Sequence, residues 1–301
     1  MKALLIIILF LLAAGHSYAQ SQDSLLLIKS AHTKLLDSMV RSYDSKEIEI
    51  YIDNTGSTDS WNIHLFRVIN YHRSKFKDAV LPGFSKSVFP MALLMPINTF
   101  IYGRVYNKTF DENSGYLLAA SEITNFAFTY TAKLFFNEQR PYKVLMGVNE
   151  YTNLPLDPYA FPSAHTSFAF TTATTFALRY PKYPQLYAPI YMWGFLVAYS
   201  RPYLGVHYPG DVFAGMVIAT VASALTYSLR SHLFKFKNNL FGENKQDEGS
   251  INGGVVTIFG ASFFATELLT AYVLPDSPLL VSITPSPKDT RGVNITLNYG
   301  F

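Results

Sequence analysis

The apolar positions of this chain fall in blocks separated by polar turns. From Val88 onward the blocks dominate. Val88 to Tyr102 is apolar but interrupted by Pro90, Pro96 and Asn98. Tyr116 to Phe136 follows, with Glu122 and Asn125 inside it. Ser163 to Tyr180 is rich in Thr, Ala and Phe, and Leu186 to Tyr199 is apolar and aromatic. Val212 to Leu229 is the cleanest run. Val255 to Leu274 closes the series with Glu267 inside it. Most of these runs approach the length of about 20 residues that a membrane helix requires, although several are short or carry polar groups. Core helices of a soluble all-α protein show the same pattern. The expected fold class is all-α: a helical bundle of about five to six transmembrane helices, a small polar N-terminal region and a C-terminal β-hairpin.

The two ends differ from the middle. Met1 to Ala19 has the build of a secretory signal peptide. Lys2 is the positive start, Ala3 to Ala14 the apolar core, and Ser17-Tyr18-Ala19 a small-x-small cleavage site before Gln20. The alternative is an uncleaved anchor, for which the apolar run is short. Residues 20–83 are the polar region. Ile28, Ala31, Leu35 and Met39 recur at helical spacing, and Glu47 to Asp53 alternates like a strand before the turn residues Asn54-Thr55-Gly56. Asn62 to Phe76 carries Arg67, Arg73, Lys75, His64 and His72. Two histidines eight apart without a carboxylate are a poor metal signal. This stretch is expected to be a solvated basic helix face, of a kind that also suits anionic headgroups. Residues 84–278 form the helical domain and residues 279–301 the tail. In the tail Val293, Ile295, Leu297, Tyr299 and Phe301 alternate with polar residues after the turn signal Pro287-Lys288-Asp289.

Composition supports buried or lipid-facing surface. Charged residues are 15% of the chain and aromatics 16%, against a usual charged share of about 25%. The net charge of +3 argues for neither nucleic acid nor an acidic partner. There is no cysteine, which excludes disulfides and thiolate metal sites. If the chain starts outside and each run crosses, the cytoplasmic loops hold Arg104 and Lys108; Arg179 and Lys182; and Arg230, Lys235, Lys237 and Lys245. All three are basic, as the positive-inside tendency requires, whereas the basic stretch Arg67 to Lys86 on the outer side runs against it.

Three polar stretches then fall on the outer side. In Lys133 to Pro141 (KLFFNEQRP), Lys133 and Arg140 are seven apart, near two helical turns. They are expected to share a face at a helix end that Pro141 terminates. Together they offer a point charge and a planar fork to phosphate oxygens. In Phe161 to Ser167 (FPSAHTS), Ser163 fits an N-cap whose helix presents free N–H groups to an anion, and His165 in the first turn can protonate a leaving oxygen. In Tyr199 to Gly215, Arg201, His207 and Asp211 stand where a loop shaped by Gly205, Pro209 and Gly210 enters the next helix. A histidine beside an arginine can attack phosphorus, and an aspartate behind it can fix the imidazole's tautomer. Each stretch also has a plain structural alternative. Basic residues flank many membrane helices, and Ser163 and Asp211 are good helix caps.

Taken together, the three resemble the type 2 phosphatidic acid phosphatase superfamily, whose signature runs K-x6-RP, PSGH and SR-x5-H-x3-D. Lys133 to Pro141 matches the first part in full. Pro162-Ser163-Ala164-His165 matches the second with Ala164 in place of Gly, and Ser200, Arg201, His207 and Asp211 match the third in full. The resemblance implies a metal-independent phosphatase without a cofactor. His207 is the nucleophile that forms a phosphohistidine, Asp211 orients it, and His165 acts first as acid and then as base. Lys133, Arg140, Arg201, Ser163 and the Ala164 N–H hold the phosphoryl oxygens. The implied partner is a phospholipid or isoprenoid phosphate in a bacterial inner membrane, with the site facing the periplasm and no nucleic acid involved. The candidate substrates are undecaprenyl diphosphate, lipid A and phosphatidylglycerol phosphate or phosphatidic acid. A soluble periplasmic acid phosphatase is the alternative. A vanadium haloperoxidase-like enzyme and an inactive envelope binding protein fit less well.

Overall fold

The computed structural model describes residues 61–150 and 157–248, the helical residues 258, 260–262 and 265–266, and the backbone of two short strands. The expected signal peptide, the amphipathic helix and strand before residue 60, and most of the sixth apolar run lie outside the described residues.

Eight helices follow in order: α1 (Trp61–Tyr71), α2 (Lys75–Val105), α3 (Thr109–Phe136), α4 (Pro141–Val144), α5 (Ala164–Arg179), α6 (Pro184–Tyr203), α7 (Pro209–Ser228) and α8 (Arg230–Phe241). Five of the six apolar runs thus become helices. The tail forms the expected hairpin, with β1 (Leu280–Pro285) antiparallel to β2 (Val293–Asn298), Leu280 opposite Asn298 and Pro285 opposite Val293. The turn foreseen at Pro287 to Asp289 lies outside the described residues.

α5 is the axis of the bundle. Every one of its residues except Ala177 and Leu178 is buried, which is how a helix surrounded on all sides reads. It packs against α2, α3, α6 and α7. Its many threonines and alanines keep it slim, and its hydroxyls find partners within the bundle. Thr171 donates to the Ser167 carbonyl at 2.8 Å and Thr172 to the Glu122 carboxylate at 2.7 Å. The largest apolar cluster joins Val88, Met91 and Met95 of α2 to Leu118 of α3, Phe168 and Phe176 of α5, and Ile190, Trp193 and Val197 of α6.

α2 begins well before its apolar run and continues through Pro82, Pro90 and Pro96. A proline inside a helix costs about 3 kcal/mol. The buried side chains around these prolines, with the Trp193 indole donating to Ser87 at 2.9 Å, offset that cost. Gly115 of α3 lets α2 approach closely, because a Cβ there would stand 2.3 Å from the Phe100 backbone nitrogen.

The outward faces are apolar. Leu93, Ile97, Ile101 and Val105 form an exposed stripe along α2, and Ile123, Met192, Phe195 and Phe213 are exposed on α3, α6 and α7. Among the described residues, α2 and α7 are long and apolar enough to cross a membrane.

The stretch expected to be a solvated basic face is different in the structure. α1 buries Ile63, Phe66 and Asn70 against the bundle while Trp61, Leu65, Val68 and Tyr71 stand exposed. The helix is apolar on two sides, which a count of its charges did not reveal.

Candidate active site

The site is assembled from helix ends. α3 delivers Lys133 in its last turn, buried, and then stops because Asn137 adopts φ +52° as its cap. Arg140 therefore lies outside α3. It is the N-cap of the short α4, which Pro141 opens at its first turn. This corrects the expectation of a shared helix face. Pro141 begins a helix rather than ending one.

Lys133 and Arg140 meet on a third residue, Asp157. Lys133 Nζ and Arg140 Nη2 each lie 3.2 Å from the same Oδ1. Arg140 Nε donates to the Asp157 carbonyl at 2.8 Å, Lys133 Nζ to the Tyr159 carbonyl at 2.8 Å, and the Tyr159 N–H to Asp157 Oδ1 at 3.1 Å. Burial alone would push the Asp157 carboxyl up. The adjacent Lys133 and Arg140 outweigh burial and hold it below its ordinary value, so it stays ionised.

α5 begins beside this cluster. Ser163 caps it, its Oγ accepting from the Thr166 N–H at 3.5 Å and the Thr166 hydroxyl at 3.0 Å. The Ser163 N–H donates to the Asp211 carbonyl at 3.0 Å, so the starts of α5 and α7 are joined directly. Gly215 makes this approach possible. A Cβ there would sit 2.7 Å from the Ser163 carbonyl oxygen. Ala164 and His165 occupy the buried first turn, and the His165 ring lies edge-on to Phe89 with centroids 4.8 Å apart.

His207 is held at both ring nitrogens. Nδ1 lies 3.3 Å from Asp211 Oδ2, and Arg140 Nη1 lies 3.1 Å from Nε2. A guanidinium can only donate, so Nε2 presents its lone pair and Nδ1 carries the proton toward Asp211. The same Arg140 nitrogen donates to the Val206 carbonyl at 3.0 Å. Asp211 Oδ2 also accepts the N–H of the N-cap Tyr208 at 2.8 Å, so from the first turn of α7 it both secures the helix start and partners the histidine. Burial first, then the charges of Arg140, Arg201, Lys133 and His165, hold His207 well below the usual histidine value and keep it neutral.

Arg201 closes the set from the last turn of α6. It is wholly buried. One Nη donates to the Ser85 hydroxyl of α2, while Nε and Nη2 have no hydrogen-bond partner among the described residues. A buried guanidinium with two unpartnered nitrogens is costly unless an anion completes it.

The structure thus gathers Lys133, Arg140, Ser163, Ala164, His165, Arg201, His207 and Asp211 at one end of the bundle. Two contributors were missed. Asp157 stands close before the Pro162-Ser163 motif, and its position there was the only available signal. Ser85 lies about fifty residues before the first motif, and nothing in its surroundings marks it.

Residues 114–235 match the profile of the PAP2 superfamily. The chain is 27% identical over 186 residues to an undecaprenyl-diphosphatase of Sulfolobus acidocaldarius, covering 61% of this chain and 86% of that one. It is 31% identical over 113 residues to a lipid A 4'-phosphatase of Bacteroides thetaiotaomicron, covering 36% of this chain and 50% of that one. Among solved structures, LpxE of Aquifex aeolicus aligns with a TM-score of 0.48 at 27% identity, over 57% of this chain and 97% of that chain.

Proposed function

We propose that this chain, whose residues 114–235 match the PAP2 superfamily, is a phosphatase that removes phosphate from a lipid monoester or diphosphate on the outer face of a membrane. The observation that carries this reading is Arg201, buried with two nitrogens unpartnered among the described residues and near enough for its charge to act on His207. A phosphoryl group supplies the missing anion and places phosphorus within reach of the nucleophile.

In the first step His207 Nε2 attacks phosphorus. The bond from phosphorus to the leaving oxygen breaks with its electron pair, and His165 supplies the proton that oxygen needs. Asp211 accepts the Nδ1 hydrogen and stabilises the cation that the phosphohistidine becomes. Arg140, Arg201 and Lys133 face the charge that grows on the equatorial oxygens, with the first-turn N–H groups of α5. In the second step His165 takes a proton from water, whose oxygen attacks phosphorus and releases His207. Ionised Asp157 keeps Lys133 and Arg140 in place, and Arg201 adds a cation with no ion-pair partner among the described residues. The exposed apolar faces of α2, α3, α6 and α7 suit embedding in lipid. The names of the relatives make an isoprenoid diphosphate and lipid A the leading substrates.

The test is phosphate release by the full chain in detergent from undecaprenyl diphosphate, lipid A, phosphatidylglycerol phosphate and a soluble ester. Chelator should leave activity unchanged and vanadate should inhibit it. His207→Ala should lose about a thousandfold or more. Turnover of the soluble ester alone would sink the lipid reading. Unchanged turnover in His207→Ala would remove the phosphohistidine route.

A further inference from the structure

α1 is anchored to the catalytic segments. Asn62 Oδ1 accepts the Gly210 N–H at 2.7 Å, and Phe66 stands edge-on to Tyr208 with centroids 5.6 Å apart. Asn70 Nδ2 donates to the carbonyls of Tyr203 at 3.0 Å and Pro202 at 3.3 Å. These contacts hold the residues just after Arg201 and just after His207. Whatever covers the far side of α1 therefore lies at the level of the phosphate site.

That far side is mostly apolar, with His64 exposed among its side chains. Trp61, Leu65 and Val68 recur at i, i+4 and i+7, with Tyr71 beside them, and they are 65%, 39%, 43% and 41% exposed. A helix facing water on this side would carry polar residues there. Phe76, at the start of α2, is 76% exposed. The segment from Trp61 to Asp78 also holds four cations, Arg67, Arg73, Lys75 and Lys77, against one carboxylate, Asp78. Arg73 pairs with Asp78 and stacks on Tyr203, while Lys75 is exposed. An apolar stripe with aromatic ends and basic flanks is the build of a helix lying in a lipid interface.

We propose that α1 is an interfacial helix that lies in the headgroup layer of an anionic membrane, with Trp61, Leu65 and Val68 among the upper acyl chains. The opposite face clamps the loop that carries His207. The assignment rests on the lipid phosphatase reading for the presence of a membrane beside the site, and its test is independent of turnover.

The chain has two tryptophans, and Trp193 is buried in the bundle and bonded to Ser87. The difference in emission between the natural chain and Trp61→Phe therefore isolates Trp61. The full chain is reconstituted into phosphatidylcholine–phosphatidylglycerol vesicles. Lipids brominated high on the acyl chain should quench the Trp61 emission more than lipids brominated deep, and aqueous acrylamide should quench it weakly. Quenching should increase with the phosphatidylglycerol fraction. Strong acrylamide quenching without bromine quenching places the stripe in water and overturns the proposal. Protection from both quenchers means that protein covers it, whether residues 1–60 or a second copy, and also overturns it. Equal bromine quenching without phosphatidylglycerol overturns the anionic part. A chain that fails on every lipid phosphate yet shows shallow quenching would break the phosphatase reading and leave this one intact.

Discussion

The two ends of the bundle are both buried clusters of charge, and they differ in one respect. At the end formed by the start of α3 and the ends of α2 and α5, each cation has a carboxylate. Glu112 receives Lys237 at 2.8 Å, Lys245 at 2.9 Å and Arg104 at 3.1 Å. Arg179 forks onto Asp247, with both contacts at 2.8 Å, and also donates to Ser114 and the Phe110 carbonyl. At the other end Lys133 and Arg140 share the single carboxylate of Asp157, and Arg201 has only a serine among the described residues. The first cluster is satisfied within the protein and ties α8 and the segment after it to the bundle. In the second, Arg201 has no ion-pair partner among the described residues. On the proposed reading the same residue types act as a fastener in one place and as an anion receptor in the other, and the difference is the unpartnered Arg201.

The largest expected effects come from unbalancing the two ends in turn. Arg201→Met should lower kcat/KM by about a hundredfold to ten-thousandfold, because a cation facing the growing charge is lost. It should not lower thermal stability, because an incompletely paired buried charge is replaced by an apolar chain. Glu112→Ala should do the reverse. Lys237 would be left buried without its carboxylate, costing about 3 kcal/mol of stability, while turnover per folded molecule stays within about threefold. Thermal unfolding and phosphate release on both variants check the contrast. An equal loss of stability in both would erase the distinction.

A smaller effect is expected at Asp157, the residue that restrains the receptor's charge. Asp157→Asn should reduce kcat about ten- to a hundredfold, as loss of a supporting shell does. The Michaelis constant should hold or fall and inhibition by product phosphate should tighten, because one negative charge has left the site. A rise in KM with unchanged kcat would mean that Asp157 only packs the loop.

The smallest effect is in the pH profile. The folded pKa of His207 lies well below the ordinary value of about 6.5. The neutral nucleophile therefore persists as pH falls through 6.5 and is lost only when pH falls through the lower folded value. The acid limb of kcat/KM, corrected for titration of the substrate itself, should lie below 6.5. A limb at or above that value would show that burial and the charges of Arg140, Arg201 and Lys133 do not govern His207.

Much of the candidate site was legible in the chain because most contributors sit in short fixed spacings. Ser163 is the cap its surroundings predict, and the four-residue step from His207 to Asp211 brings the two side chains together by local geometry. Lys133 and Arg140 show the limit of such reasoning. Their spacing suggested one helix face, but Asn137 breaks the helix and Asp157 joins them. The partner of a charge lies wherever the chain returns, and spacing carries no record of that.

The sequence alone determined which residues are available and where apolar runs favour helices, since propensity and periodicity act over a few turns. It also determined the order of the three motifs, which made the phosphatase resemblance visible. Only the tertiary structure decided which carboxylate serves which cation and that Arg201 is left with unmade hydrogen bonds. The same holds for the Nε2 lone pair of His207 that faces Arg140 and for the two apolar sides of α1. These depend on distances between segments separated by tens of residues, where packing of whole helices outweighs any local preference.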